Sequence, residues 1–206
     1  MTQTGRGSAE VGVKEPGAES EFERARRVAD ERALVDSAKR GSSAAFESLY
    51  RNHVGNVYGL CLRMTANRAT AEDCTQEAFV QAWRNLASFE NRSAFGTWLH
   101  RIAVNAVLAQ GRKRRERLGA EASADEDAER LPDPDSGDDG GVLDLERAIA
   151  TLPAGARQVL ILVGLYGHSH EEAAEMLGLA VGTCKSQLHR ARQMLAERLA
   201  VPEAQP

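Results

Sequence analysis

The side chains best equipped for chemistry gather near the end of the chain. From Thr183 onward the sequence presents Thr183, Lys185, Ser186, Gln187, His189, Arg190 and Arg192, all able to hydrogen-bond. Three of them are fixed cations, and no acid intervenes before Ala196. Such a set suits nucleic acid, because neutral donors and acceptors can read base edges while cations meet phosphates. A merely solvated helix face would not need to exclude acids. A second cationic run, Arg112-Lys-Arg-Arg-Glu-Arg117, could serve the same end or could simply favour a helix C-terminus.

Catalysis finds no comparable foothold. No nucleophile–base set, phosphate-cradling loop or cluster of metal ligands stands out, so neither an enzyme nor a cofactor or metal site is expected. His168 and His170 flank Ser169 without a third or fourth ligand nearby, and Ser169/His170 reads better as a helix start. Cys61, Cys74 and Cys184 are odd in number, form no CxxC pair and recur with apolar neighbours at helical spacing, as buried reduced thiols do. Met1–Ser20 lacks an apolar signal core, and the longest apolar run, Val159–Leu165, falls far short of the ~20 residues that span a bilayer. No membrane insertion is expected, and the expected compartment is the cytoplasm.

The net charge of −4 hides a segregation. Residues 30–117 carry 14 Lys and Arg against 9 acids, whereas residues 118–143 carry 9 acids against one Arg. One stretch is therefore basic, and nearly all the excess acid sits in the short segment after it. That segment also holds two prolines and four glycines, the composition of a flexible linker.

Helices must position the reactive residues, since Ala, Leu, Glu and Arg abound and apolar residues recur at three- and four-residue steps. Residues 1–28 show no sustained periodicity and read as a mobile tail, with order beginning near Asp30. Gly41 should stop a first helix and Ser42 or Ser43 cap a long second one bearing Phe46, Leu49, Val57, Cys61 and Met64. Thr70-Ala-Glu-Asp73 resembles a capping box opening a third helix, and Ser93 should cap a fourth with Phe95, Trp98/Leu99, Ile102 and Ala106 on one stripe. After residues 118–143 the helical pattern resumes at Asp144, restarts at Pro153, and ends in Ser169–Leu177 and Val181–Leu199.

These last two helices have the pattern of a helix-turn-helix spanning 170–192. Ala174 is small enough for a helix crossing, and Gly178, four residues on, lets the chain turn sharply. Val181, Cys184 and Leu188 give the second helix an inward face, which leaves the hydrogen-bonding residues outside. An ordinary helical hairpin with a polar face remains the plainer alternative.

With these pieces assembled, the chain resembles the sigma-70 family, and within it the extracytoplasmic-function group. The resemblance is carried by Ala71-Glu-Asp-Cys-Thr-Gln-Glu-Ala-Phe-Val-Gln-Ala-Trp83, by Ser93-Ala-Phe-Gly-Thr-Trp-Leu-His-Arg-Ile-Ala-Val-Asn105, and by Val181-Gly-Thr-Cys-Lys-Ser-Gln-Leu-His-Arg-Ala-Arg192. It implies an all-α fold: a region-two helix bundle over residues 29–117, a flexible acidic linker over 118–143, and a region-four helix-turn-helix domain over 144–200. Residues 201–206 would be a C-terminal tail. It also implies partners, namely core RNA polymerase, promoter DNA and an anti-sigma factor.

The resemblance assigns roles residue by residue. Asp73, Gln76, Glu77, Phe79 and Trp83 would dock on core polymerase, although Phe79 and Trp83 could instead be core and Asp73 a helix cap. Phe89, Asn91, Ser93, Arg101, Asn105, Arg112 and Lys113 would handle the melted minus-ten element, where a base turned out of the stack is held by edge contacts and cations follow the backbone. Thr183, Lys185, Ser186, Gln187, His189, Arg190 and Arg192 would read the minus-thirty-five duplex. Three positions depart from the family pattern. Cys184 replaces an aliphatic residue, Gln187 stands where Arg is common and so shifts the expected base from guanine toward adenine, and His168 and His170 replace apolar or aromatic residues. A helix-turn-helix regulator acting without polymerase, or a mimic that sequesters an anti-sigma factor, are the rival readings.

Overall fold

The computed structural model describes residues 21–118 and 140–199, all helix and connecting turns. Eight helices follow in order: α1 (Glu21–Lys39), α2 (Ser43–Thr65), α3 (Arg68–Asn85), α4 (Phe95–Leu118), α5 (Gly140–Ala150), α6 (Ala154–Val159), α7 (His170–Leu177) and α8 (Val181–Leu199). A 3-10 turn at Leu86–Ser88 ends α3, and a π-helical turn at Leu160–Leu165 prolongs α6. The expected all-α architecture is what the chain adopts. Most of the acidic linker, the first twenty residues and the C-terminal tail lie outside the described residues.

The first four helices enclose one apolar core. Val35 and Ala38 of α1, Leu49, Leu60 and Met64 of α2, and Leu99 and Val104 of α4 are buried together. The inner face of α3 is made of small residues, Ala71, Cys74, Thr75, Ala78 and Ala82, so its backbone can approach α2 and α4 closely. The buried Thr75 hydroxyl donates to the Ala71 carbonyl at 2.7 Å, which leaves no orphaned polar group there. Gly96 has a packing reason of its own. A Cβ there would stand 3.2 Å from the His53 ring, which lies over the start of α4.

Helix boundaries depart from expectation in three places. α1 begins at Glu21, not near Asp30; its first turns carry exposed charged residues, Arg26 and Asp30 among them at 3.9 Å, and no apolar stripe that periodicity could detect. The cap of α3 is Asn67, whose side chain accepts from the Thr70 amide at 2.8 Å, so Thr70 lies inside the first turn and does not open it. Ser93 does not cap α4. Its hydroxyl donates to the Ala94 carbonyl, and that same carbonyl accepts the first helical bond, from the Trp98 amide at 3.2 Å. Gly41, with φ +94°, and Ser42, accepting from the Ala45 amide at 3.2 Å, act as expected.

The C-terminal helices do not stand apart from this bundle. Val159, Ile161 and Leu162, with Ala173, Ala174, Cys184 and Leu188, join the same continuous apolar cluster as the first four helices. A polar seam accompanies it. Arg157 of α6, only 2% exposed, donates to the carbonyls of Met64 (3.3 Å) and Thr65 (3.2 Å) at the end of α2, and to those of Ala150 (2.9 Å) and Leu152 (3.1 Å) in its own unit. Those α2 carbonyls belong to a last turn that would otherwise lack donors, and a cation there also suits the helix dipole.

Candidate functional site

The helix-turn-helix is built from its caps inward. Ser169 accepts from the Glu172 amide at 3.1 Å while the Glu172 carboxylate accepts from the Ser169 amide at 2.9 Å, a reciprocal capping box that starts α7. The amide of Ser169 holds the Glu172 carboxyl below its ordinary range, aided by His168 and Arg101 nearby. Gly178 ends α7 at φ +66°, and the Leu179 amide reaches back to the Ala174 carbonyl at 2.9 Å. Ala174 is buried at the crossing, in one apolar cluster with Cys184 and Leu188 of α8. The Cys184 thiol lies 3.8 Å from His170 Nδ1, and burial pushes the thiol above its ordinary range. Cys184 thus fills a core position, and His170 takes up the role of helix-start neighbour.

This packing fixes the rotation of α8. Thr183, Lys185, Ser186, His189, Arg190 and Arg192 all face solvent. Gln187 differs from expectation: it is half-buried, its amide facing Gly155 of α6, where a Cβ would meet it at 3.9 Å. The exposed face still offers hydrogen-bonding groups near the start of the helix and cations along it.

A second surface runs between α3 and α4. Asp73, Gln76 and Glu77 on α3 and Asn105, Arg112 and Lys113 on α4 line one groove of about 690 Å³. All six are exposed, so residues assigned to two different partners share one channel. Arg101 lies on the same helix and is also exposed. Preceding α4, Asn91 adopts φ +58°, which turns the loop outward between Glu90 and Arg92, themselves paired at 2.7 Å. Ser93 is exposed beside them.

Phe89 is not on this surface. It is 5% exposed, stacked on Trp98 with ring centroids 4.8 Å apart and edge-on to Phe95 at 6.0 Å. Lys39 of α1 lies over its ring at 5.5 Å and donates to its carbonyl. Phe89 thus anchors the loop from below, and the rings of Phe95 and Trp98 complete the anchor.

On the other side of α3, an aromatic-lined groove of about 850 Å³ runs along α2. Trp83 is 44% exposed at its edge, packed against Phe46 at 4.7 Å. Phe79 is buried beneath Tyr50 at 4.6 Å. Trp83, Tyr50 and Val80 therefore form the accessible apolar surface, while Phe79 supports it. Sequence reasoning set Tyr50 on the apolar stripe of the second helix and gave neither it nor Val80 a binding role. Their exposure on apolar-patterned helix faces shows only once α2 and α3 are packed.

Comparison with known proteins adds sequence relatives to this geometry. Residues 49–117 match the family model of sigma-70 region 2, and residues 143–195 match that of sigma-70 region 4. The chain is 36% identical over 162 residues to the ECF RNA polymerase sigma factor SigE of Mycolicibacterium smegmatis, covering 76% of this chain and 62% of that protein. It thus spans under two thirds of the length of that relative. It is 34% identical over 180 residues to the ECF RNA polymerase sigma-E factor of Haemophilus influenzae, covering 82% of this chain and 95% of that one. Among solved structures it resembles the sigma factor RpoE in complex with the anti-sigma factor NepR from Bartonella quintana, at 32% identity and a TM-score of 0.57, covering 76% of this chain and 98% of that one.

Proposed function

We propose how this chain works from one premise: it belongs to the sigma-70 family, in the extracytoplasmic-function group of RNA polymerase sigma factors. It binds core polymerase, directs it to particular promoters and helps open the minus-ten element, with no catalytic site of its own. Residues 29–117 act as region two and residues 144–200 as region four, with residues 118–143 as the tether between them. No described helix is long and apolar enough to cross a membrane, and the polymerase on which the chain acts places its work in the cytoplasm.

Asp73, Gln76, Glu77 and Trp83 dock on the polymerase, with Phe79 acting from beneath through Tyr50. Asn91 and Ser93 hold the edge of a minus-ten base turned out of the stack, over the floor made by Phe89. Arg101, Asn105, Arg112 and Lys113 follow the melted strand. Thr183, Ser186 and Gln187 read the minus-thirty-five duplex with His189 beside them, and Lys185, Arg190 and Arg192 meet its phosphates. The likeness to a sigma factor held by an anti-sigma factor supports a partner of that class here.

The observation that carries this reading is the pairing of two exposed, acid-poor helix faces, on α4 and α8, each backed by a buried stripe. Run-off transcription tests it, using core polymerase and the purified chain on a genomic promoter library. Promoter-specific transcripts should require both components. Tight protection of an operator by the chain alone, with core adding nothing, would replace the sigma reading with that of an independent repressor or activator.

A further inference from the structure

The loop ahead of α4 leaves the bundle at Phe89 and returns to it at Phe95, and α1 backs both of these points. Phe89 is held on several sides. Its amide donates to the Leu86 carbonyl at 3.1 Å, and its ring stacks on Trp98 and meets the edge of Phe95. Those partners all belong to the neighbouring stretch 86–98. Lys39, at the end of α1, does not: its ammonium donates to the Phe89 carbonyl and lies 5.5 Å over the ring. At the far end of the loop, the Glu31 carboxylate of α1 accepts from His53 Nε2 at 2.7 Å. The His53 ring in turn lies edge-on to Phe95 at 5.3 Å. The region 2 match begins at residue 49, so α1 lies ahead of it.

The Lys39 bond falls where it can steer the loop. A peptide unit is planar, so fixing the Phe89 carbonyl fixes the plane through which the chain passes to Glu90. Two residues on, Asn91 takes φ +58°, a conformation that only a well-defined approach will hold. A charged donor makes a stronger and more directional bond than a neutral one. Lys39 is half-buried with its ammonium taken up by the Phe89 carbonyl and ring, which sets it apart from the exposed cations Arg101, Arg112 and Lys113.

We propose that Lys39 is a positioning residue for the minus-ten element. By holding Phe89 it fixes the direction in which the loop leaves the bundle, and so where Asn91 and Ser93 meet a base turned out of the stack. The proposal rests on the sigma reading for what the loop does, but the tether itself is a property of the isolated chain.

The test compares Lys39→Met and Lys39→Arg with the parent chain. Methionine keeps an unbranched stem and a favourable sulfur contact with the ring but cannot donate, whereas arginine keeps both cation and donor. Run-off transcription with core polymerase would use promoters randomised in either element. Lys39→Met should lose several-fold of the parent's preference at the one minus-ten position whose base is turned out. Its minus-thirty-five selectivity should be unchanged, and Lys39→Arg should restore most of the lost preference. In the isolated full-length chain, backbone order parameters from NMR relaxation should fall at Asn91, Arg92 and Ser93 in Lys39→Met, while α2, α3 and α4 keep the parent's values. A uniform loss over all minus-ten sequences with a shallower salt dependence would make Lys39 a phosphate contact and overturn the proposal. A loss shared by both elements, with a lowered melting temperature and lowered order throughout the bundle, would reduce Lys39 to a residue of the fold and overturn it equally. Base preference and loop order both unmoved in Lys39→Met would do the same. If no chain initiates with core polymerase, the parent included, the sigma reading fails, while the order parameters still judge the tether.

Discussion

At the scale of single residues, the imidazole of His100 gives the seam a pH dependence. Burial, with His168 and Arg101 adding repulsion, pushes His100 down to about 4 from an ordinary 6.5. The groups facing it are His168 and Tyr166 from the C-terminal helices, His53 and Asn56 from α2, and Arg101 on α4 itself. The folded form therefore prefers the neutral ring, and the unfolded chain binds the proton more readily. The contribution is whole above pH 6.5 and is lost as the pH falls from there toward 4. His100→Gln should flatten the melting temperature against pH across that window relative to the parent, and parallel curves would show that the His100 proton plays no part. A second residue-scale prediction separates phosphate from base contacts on α8. Lys185→Ala should weaken all minus-thirty-five sequences alike and lower the salt slope by about one. Gln187→Ala should cost about 1–3 kcal/mol at the preferred sequence alone, measured over a randomised element with core polymerase. A uniform loss would make Gln187 a phosphate contact, and no loss would mean that its amide stays against α6. Legibility at this scale was uneven. Cys184, Leu188 and the exposed cations follow from spacing alone, because a helix repeats every 3.6 residues. Phe89 and Phe79 do not, because an aromatic beside a polar loop or groove reads the same whether it faces outward or packs beneath a neighbour.

At the scale of elements, short helices depend on their ends, and α7 is only eight residues long. Its capping box satisfies two amides that would otherwise lack acceptors. Ser169→Ala should cost about 1 kcal/mol and lower the melting temperature by a few degrees, read by thermal circular dichroism. An unchanged melting temperature would mean that the approach from His168 fixes the helix start without the cap. This start was legible because serine followed three residues later by glutamate is a local signal. The starts of α3 and α4 were less so. Asn67 and Ala94 take the positions assigned to Thr70 and Ser93, and since Ala94 contributes only its carbonyl, packing and not a capping side chain sets the start of α4. The early start of α1 was hidden for a different reason. Its first turns are exposed and charged, so there was no apolar stripe for periodicity to detect.

At the scale of the whole molecule, the two matched regions and their order could be read from the sequence, but their packing against each other could not. Periodicity identifies which face of a helix is apolar, and not which distant face will cover it. Arg157 shows the difficulty. In the sequence it is one cation ahead of the run Val159–Leu165, and only the folded chain sets it against the end of α2. The shared core has a thermodynamic consequence that differs from any measured distance. The described residues number 98 in the first stretch, 21–118, and 60 in the second, 140–199. At roughly 0.7 kcal/mol per residue, units melting separately would show van't Hoff enthalpies of about 70 and 40 kcal/mol, and units melting together about 110 kcal/mol. The continuous apolar cluster and the Arg157 bonds predict the second case for the parent chain, with calorimetric and van't Hoff enthalpies equal. Arg63 of α2 pairs with Glu146 of α5 at 2.9 Å, so Glu146→Arg sets two cations against each other at the seam and should split the transition in two, while the swap with Arg63→Glu should merge it again. Differential scanning calorimetry of the three proteins reads this directly. Two transitions in the parent chain would mean that each unit is stable by itself and that the seam adds little. A single transition surviving in Glu146→Arg would mean that the apolar cluster, and not the charge pair, couples the units.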